Sequence, residues 1–109
     1  MTTITAVDIE HILNQWASRK LSEPQVHAWA EDRFCTSTYE GESEAVNEVL
    51  SRLDTMNMNL TTAEDIPAFK AALHSKNFIS ILAEYESRIN IEERKLKLRQ
   101  IPFYAHFCE

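Results

Sequence analysis

A chain of 109 residues with 44% hydrophobic side chains is long enough to bury one core and too short for two, so we expect a single domain spanning residues 1–109. Its formal net charge of −6 argues against a nucleic-acid partner, because phosphate-backbone binding needs clustered Lys and Arg. One glycine and three prolines are too few for the turns of a small β-protein, and they favour helices joined by short connections.

Membrane and export signals are missing from the sequence. No stretch approaches the roughly 18 consecutive apolar residues that span a bilayer. Residues 1–8 carry neither the basic flank nor the apolar run of a secretory signal peptide. We therefore expect a cytoplasmic protein without a membrane partner.

The first two predicted helices form an antiparallel hairpin. The first covers about residues 8–20, and either Asp8 or Thr5 can cap its start. The second begins at Glu23 and runs to about residue 35, after a Ser, Pro and Gln spacing typical of a helix start. Apolar side chains at helical spacing mark the inner faces. They are Ile9, Ile12, Leu13 and Trp16 in the first helix, and Val26, Trp29, Ala30 and Arg33 or Phe34 in the second.

A polar stretch at residues 36–41 contains the only glycine and predicts a loop. Ser43 is placed to cap a third helix, which should end near residues 56–57. A fourth helix has two possible starts. One is a capping box at residues 61–64, and the other is a proline start at residues 65–67.

The fifth helix has the clearest apolar period of the chain, over residues 78–89. Asn90 and Glu93 have the spacing of a cap for a further helix, but no Gly or Pro interrupts the run, so we favour continuation past this point. Pro102 should stop the helix. The tail at residues 103–107 is too apolar to remain in water, so we expect it to pack back on the bundle or to cover a partner.

These elements predict an all-α fold, an antiparallel bundle of about five helices with the apolar C-terminal tail packed back on it. Large apolar side chains on the inner faces should form the core. They are Trp16, Trp29, Leu50, Leu53, Phe69, Leu73, Phe78, Leu82 and Tyr85.

Side chains that catalyse reactions or bind metals are scattered along the chain. Cys35 and Cys108 form no CxxC pair, which predicts two free thiols. Nucleophile elbows and glycine-rich phosphate loops are absent from the sequence. The four histidines lie on separate predicted elements without metal-site spacing, and they are His11, His27, His74 and His106. We therefore expect no metal, no cofactor and no enzymatic activity.

All of the net negative charge lies before residue 61, in a half with ten acids and four bases. Within it, residues 39–44, here called the acidic segment, place one aromatic ring among carboxylates. Such charge steers a basic protein partner, and such a ring supplies buried contact area. The predicted contact residues are Tyr39, Glu40, Glu42, Glu44, Glu48, Glu31 and Asp32, with Asp54 as an extension. Two simpler explanations stay open, a solvated face and acids that complement a helix dipole.

Residues 9–34 combine an apolar helix, a short Leu-Ser turn and a second apolar helix. The residues that carry this pattern are Ile12, Leu13 and Trp16, then Leu21, Ser22 and Glu23, then Val26 to Trp29. The pattern resembles the opening hairpin of colicin D-type immunity proteins. Those are small acidic helical proteins that bind a cognate toxin nuclease domain and cover its active site. The resemblance implies a toxin partner, but it transfers no binding residue to this chain.

The sequence therefore predicts a protein-binding module, and most specifically an immunity or antitoxin protein of bacteria that sequesters a basic toxin domain through an acidic surface. The alternative is a structural or adaptor subunit that self-associates through its apolar C-terminal segment. A homo-oligomer is compatible with both interpretations.

Overall fold

The computed structural model describes residues 2–34 and 37–109. Cys35 and Thr36, and with them one predicted free thiol, lie outside the described residues. The elements in chain order are β1 (Thr2–Ile4), α1 (Ala6–Ala17), α2 (Glu23–Phe34), β2 (Tyr39–Gly41), α3 (Glu44–Asp54), a 3-10 turn (Ala63–Asp65), α4 (Ile66–Leu73), α5 (Phe78–Ser87), α6 (Ile91–Leu98) and α7 (Pro102–Ala105). The fold is mainly helical, as predicted.

A small sheet corrects two predictions: the fold is not purely all-α, and residues 39–41 of the predicted loop form a strand. β1 and β2 run parallel, with Thr2 opposite Tyr39 and Ile4 opposite Gly41. Ile4 is buried in the main core, which holds β1 against the helices. Strands of three residues are too short to show an alternating pattern, so contacts between distant parts of the chain decide where they form.

Gly41 lies where β2 approaches α3 closely. Its N–H donates to Asn47 Oδ1 at 3.1 Å, and a Cβ on Gly41 would lie 2.3 Å from that oxygen. A side chain at this position would therefore displace the Asn47 amide and break this hydrogen bond.

Local capping explains why three of the helices begin where the sequence predicts. Thr5 Oγ1 accepts the N–H of Asp8 at 3.1 Å, and the Asp8 carboxylate accepts the Thr5 N–H at 2.9 Å. Before α2, the N–H of Ser22 donates to the Gln25 side chain at 2.8 Å. Ser43 Oγ accepts the N–H of Val46, the third residue of α3, at 3.2 Å. Both α1 and α3 end two to three residues earlier than predicted.

The second half of the chain is divided more finely than predicted. The capping box predicted at residues 61–64 forms one residue later, between Thr62 and Asp65 on the 3-10 turn. The predicted proline start is used, because α4 follows with Pro67 in its first turn. The prediction that the fifth helix continues past Asn90 is wrong. Asn90 Oδ1 accepts the N–H of Glu93 at 3.1 Å and caps a separate helix, α6. Pro102 does not end a helix but lies in the first turn of α7.

The main core lies between α1, α2, α3, α4 and α5. Six predicted core residues are buried, namely Trp16, Leu50, Leu53, Phe69, Leu73 and Leu82. The prediction is wrong for Trp29, Phe78 and Tyr85, which are only partly buried. In α2 the buried side chains are the small Val26 and Ala30, so the larger indole of Trp29 lies at the edge of the interface.

The C-terminal tail packs back on the body, as predicted. Tyr104 is buried and forms a second, smaller apolar cluster with Leu60 and Leu98. Phe103 and Phe107 are partly buried against this cluster. The ring of Phe103 also contacts His27 of α2 edge-on, with 5.5 Å between ring centroids.

The two tryptophans should differ in their effect on stability. Trp16→Ala removes a fully buried indole and should lower the free energy of unfolding by about 3 to 5 kcal/mol. Trp29→Ala removes a partly exposed ring and should cost less than about 2 kcal/mol. Urea denaturation followed by circular dichroism measures both values. Equal losses for the two variants would contradict the described packing.

Candidate functional site

The acidic segment does not act as one uniform surface. Glu42 reaches back to the start of α1, where its Oε1 accepts the N–H of Ala6 at 2.8 Å. Glu48 pairs with Arg52 at 2.7 Å, and Arg52 also bonds to Glu86 of α5 at 2.8 Å. These two acids therefore hold elements of the fold together, and they are poorly suited to attract a partner.

The other predicted acids are more exposed. The side chains of Glu40 and Glu44 are exposed and make no hydrogen bond or ion pair with the other described residues. Glu31 lies 3.8 Å from His27 Nε2, and Asp32 lies 3.7 Å from an Arg33 nitrogen, and both carboxylates are largely exposed. Four of the predicted acids thus offer negative charge to solvent.

Asp54, the predicted extension, lies at the end of α3 and is partly buried. Its backbone carbonyl lies 2.8 Å from His27 Nε2, so the residue joins α3 to α2. Asp54 therefore has a structural contact in addition to any effect of its charge.

Tyr39 is held at the end of a stack of three side chains. The guanidinium carbon of Arg33 lies 4.4 Å from the ring centroid of Trp29 and 5.3 Å from that of Tyr39. Both distances are in the range of cation–π contacts. The stack joins α2 to β2, which explains why the sequence-predicted aromatic residue is half-buried and not fully exposed.

The stack forms one wall of a groove of about 480 Å³, here called the aromatic groove. Its other walls come from β1 and from the first two turns of α1. Val7 stands at this groove with 72% of its surface exposed. Residues lining the groove include Thr3, Ile4, Val7, His11, Trp29, Arg33 and Tyr39. Trp, Tyr and Arg are the residue types that most often dominate protein–protein binding energy.

A larger cleft of about 620 Å³ lies beside the α1–α2 turn. No sequence pattern predicts this cleft. Its walls come from the α1–α2 turn, the 3-10 turn, α5 and α6, and Leu98 and Tyr104 lie among its apolar residues. The cations that line it all have acidic partners. The pairs are Arg19 with Glu23, Arg88 with Glu84, Arg94 with Asp65 and Lys97 with Glu93.

At this cleft lies a group of three side chains, the buried Asp65 and the partly buried Tyr85 and Arg94, here called the Asp65 cluster. One oxygen of Asp65 accepts from the Tyr85 O–H at 2.5 Å and from Arg94 at 2.6 Å. The other oxygen accepts from Arg94 at 2.8 Å and from the Thr62 N–H at 2.9 Å. The carboxylate is 3% exposed and is fully hydrogen-bonded.

The electrostatics of the Asp65 cluster follow from this geometry. The hydrogen bonds to Asp65 raise the pKa of Arg94 above its ordinary value, although burial opposes this effect. Burial and the Asp65 carboxylate together raise the pKa of Tyr85. Both shifts favour the protonated forms of Tyr85 and Arg94, so their hydrogen bonds to Asp65 persist at neutral pH.

Glu23 links the two helices of the first hairpin. One of its oxygens accepts from Trp16 Nε1 and from Arg19, both at 2.7 Å. Burial acts to raise the pKa of Glu23, but the hydrogen bonds from Trp16 and Arg19 outweigh it and the pKa lies below the ordinary value of 4.5. The ionised carboxylate therefore stabilises the hairpin.

Within residues 2–34 and 37–109, no group of three or more His, Cys, Asp or Glu is arranged to hold a metal ion. In the same ranges, no helix has the length and apolar character needed to cross a bilayer. The chain matches no protein-family model, no curated protein and no solved structure. The resemblance to colicin D-type immunity proteins stays a prediction.

Low pH should abolish the contribution of the Glu23 carboxylate to the free energy of unfolding. Because its folded pKa is lowered, its stabilising effect is present above the ordinary pKa of 4.5 and is lost as pH falls through the folded value. Glu23→Gln should therefore lower the unfolding free energy at neutral pH, and its difference from the unmodified chain should shrink as the pH falls below 4.5. Urea unfolding at several pH values measures this difference. The exposed control Glu92→Gln should show little effect at any pH, and a Glu23→Gln effect independent of pH would contradict the interpretation.

Proposed function

We propose that this chain is a protein-binding module that receives a basic partner at the aromatic groove. The observation that carries the proposal is the Trp29–Arg33–Tyr39 stack, which presents aromatic and guanidinium surface beside exposed carboxylates. Asp8 lines the groove, and Asp32 and Glu40, the chain neighbours of stack residues, are exposed. We propose no enzymatic reaction for the chain.

The stack and the carboxylates have different tasks in this proposal. A pre-positioned aromatic wall loses little side-chain entropy on binding and supplies contact area that excludes water. Exposed acids at the border act earlier, because they attract a basic surface and speed its approach. Their effect should weaken with added salt, since exposed charges are screened beyond about 10 Å at moderate ionic strength.

The partner class that we favour is a basic toxin domain, with this chain as its immunity or antitoxin protein. The acidic half of the chain and the resemblance of residues 9–34 support this choice. The alternative is an adaptor that self-associates through the C-terminal segment. Leu96 and Ile101 favour it, because 62% and 41% of their surfaces are exposed. Against it, the aromatic residue Tyr104 is already buried within the chain.

The groove can be blocked without touching the core. Val7→Arg places a long cation at the groove, and Ile79→Arg makes the same change at a similarly exposed apolar residue of α5. The unmodified chain first serves as bait in lysate of the cells that carry its gene, and mass spectrometry identifies retained proteins. For such a protein, Val7→Arg should weaken binding by about tenfold or more. Ile79→Arg should bind as the unmodified chain does.

Equal binding by both Arg variants would contradict a site at the aromatic groove. Loss of binding with Ile79→Arg alone would move the interface to α5. If no protein is retained and the chain forms a concentration-dependent dimer in light scattering, the adaptor interpretation replaces the proposal.

The exposed acids should govern the rate of association. Glu40→Gln with Glu44→Gln should slow binding several-fold and reduce its salt dependence, while fold stability stays nearly unchanged. Glu84→Gln with Glu92→Gln removes the same charge from α5 and α6 and serves as the matched control. Surface plasmon resonance at two salt concentrations measures the rates. An unchanged association rate and salt dependence for the Glu40 and Glu44 variant would show that these acids form only a solvated face.

A further inference from the structure

Residues 91–109, here called the C-terminal arm, consist of α6, α7 and the tail. Residues 88–90 join the arm to α5 without helical structure. The buried residues of the arm, Leu98 and Tyr104, pack with Leu60 in an apolar cluster separate from the main core. Phe103 of the arm also packs against the main core, where its ring contacts His27 of α2. The apolar contact between the arm and the main core is therefore limited to one partly buried ring.

The polar contacts of the arm converge on one short segment, residues 60–65. Arg94 of α6 donates to the Leu60 carbonyl at 3.0 Å and forms the two-bond pair with Asp65. The Tyr104 O–H of α7 donates to the Thr61 carbonyl at 2.5 Å. Both helices of the arm are thus attached at the same place, and Arg94 makes most of the bonds.

We propose that the C-terminal arm opens and closes as one unit while the main core stays folded, and that the Arg94–Asp65 pair is the latch between the two states. Segments with few apolar contacts to the rest of a protein open below the free energy of global unfolding. Opening at residues 88–90 would break the small cluster of Leu60, Leu98 and Tyr104. The main core contains none of these three residues and would lose only the partly buried Phe103 ring at its edge, so it can remain folded.

A buried ion pair can act as a latch. Its attraction is offset by the cost of removing both charges from water, so the pair adds little net stability. Loss of one partner, however, leaves an uncompensated charge and is strongly unfavourable.

The arm also has apolar residues that face outward. Leu96 is 62% exposed, Ile91 is 42% exposed and Ile101 is 41% exposed. A released arm would therefore expose apolar side chains on two faces.

Hydrogen exchange of the unmodified chain gives the first test. In low urea concentrations, amide hydrogens of α6 should exchange through an opening with lower free energy and weaker urea dependence than those of α1 and α3. Exchange of α6, α1 and α3 with one common free energy and one urea dependence would overturn the proposal. This measurement needs no substituted variant.

Arg94→Met gives the second test, with Arg52→Met as its matched control. Arg52 also bridges two elements, because it pairs with Glu48 of α3 and Glu86 of α5, but these contacts lie outside the arm. Arg94→Met should speed exchange in α6 at least about tenfold more than in α1. Arg52→Met should leave the ratio of α6 to α1 exchange unchanged.

A milder variant covers the case in which Arg94→Met does not fold. Tyr104→Phe keeps the buried ring and removes only the hydrogen bond to the Thr61 carbonyl. It should also speed exchange in α6 and α7 relative to α1, and it should increase trypsin cleavage after Lys97 and Arg99 while residues 2–87 resist. If Tyr104→Phe and Arg94→Met speed exchange equally in all helices, the arm opens only with the whole fold and the proposal fails.

Discussion

The placement of the second half of the chain depends on one buried carboxylate. Among the described residues, Asp65 is the one charged side chain that is buried. Its oxygens receive hydrogen bonds from the 3-10 turn, from Tyr85 of α5 and from Arg94 of α6. An unpaired carboxylate in this position would cost several kcal/mol, about what a small domain can lose before unfolding. The relative positions of these three elements are therefore coupled through a single side chain.

Local sequence signals predict the helix starts well because their physical cause is local. Thr5, Ser22 and Ser43 each accept or donate hydrogen bonds within three residues, so the pattern is visible in the sequence itself. Asn90 shows the limit of this approach. Its capping geometry competed with an uninterrupted helical run, and propensity alone does not say which of the two is more stable.

Features that depend on distant contacts were not predictable in the same way. Arg94 belongs to a run of basic residues that resembles an ordinary solvated helix face, and its partner Asp65 is 29 positions away. The partial exposure of Trp29 depends on the small side chains around it and on Arg33, which the periodicity of α2 does not reveal. The parallel sheet is set by the pairing of two segments that individually lack a strand signal.

In the candidate site, too, contacts between near neighbours in the chain are predictable and contacts between distant residues are not. The sequence places Tyr39 and its carboxylates in one region, and the structure places Tyr39 at the aromatic groove and leaves Glu40 exposed. The sequence does not show that Glu42 binds the start of α1, or that Arg52, the partner of Glu48, also binds Glu86 of α5. The negative charge that the surface offers to a partner is therefore smaller than the number of acidic residues indicates.

The contact between Glu42 and Ala6 has a consequence for the order of folding. These residues are 36 positions apart, so the N–H of Ala6 receives its side-chain acceptor only after the chain has closed a loop that contains the whole α1–α2 hairpin. Loop closure of this length costs entropy before any contact repays it. The local Thr5 and Asp8 contacts need no such closure. During synthesis, β1 therefore precedes its strand partner by the length of the α1–α2 hairpin, and the parallel sheet cannot form before β2 has left the ribosome.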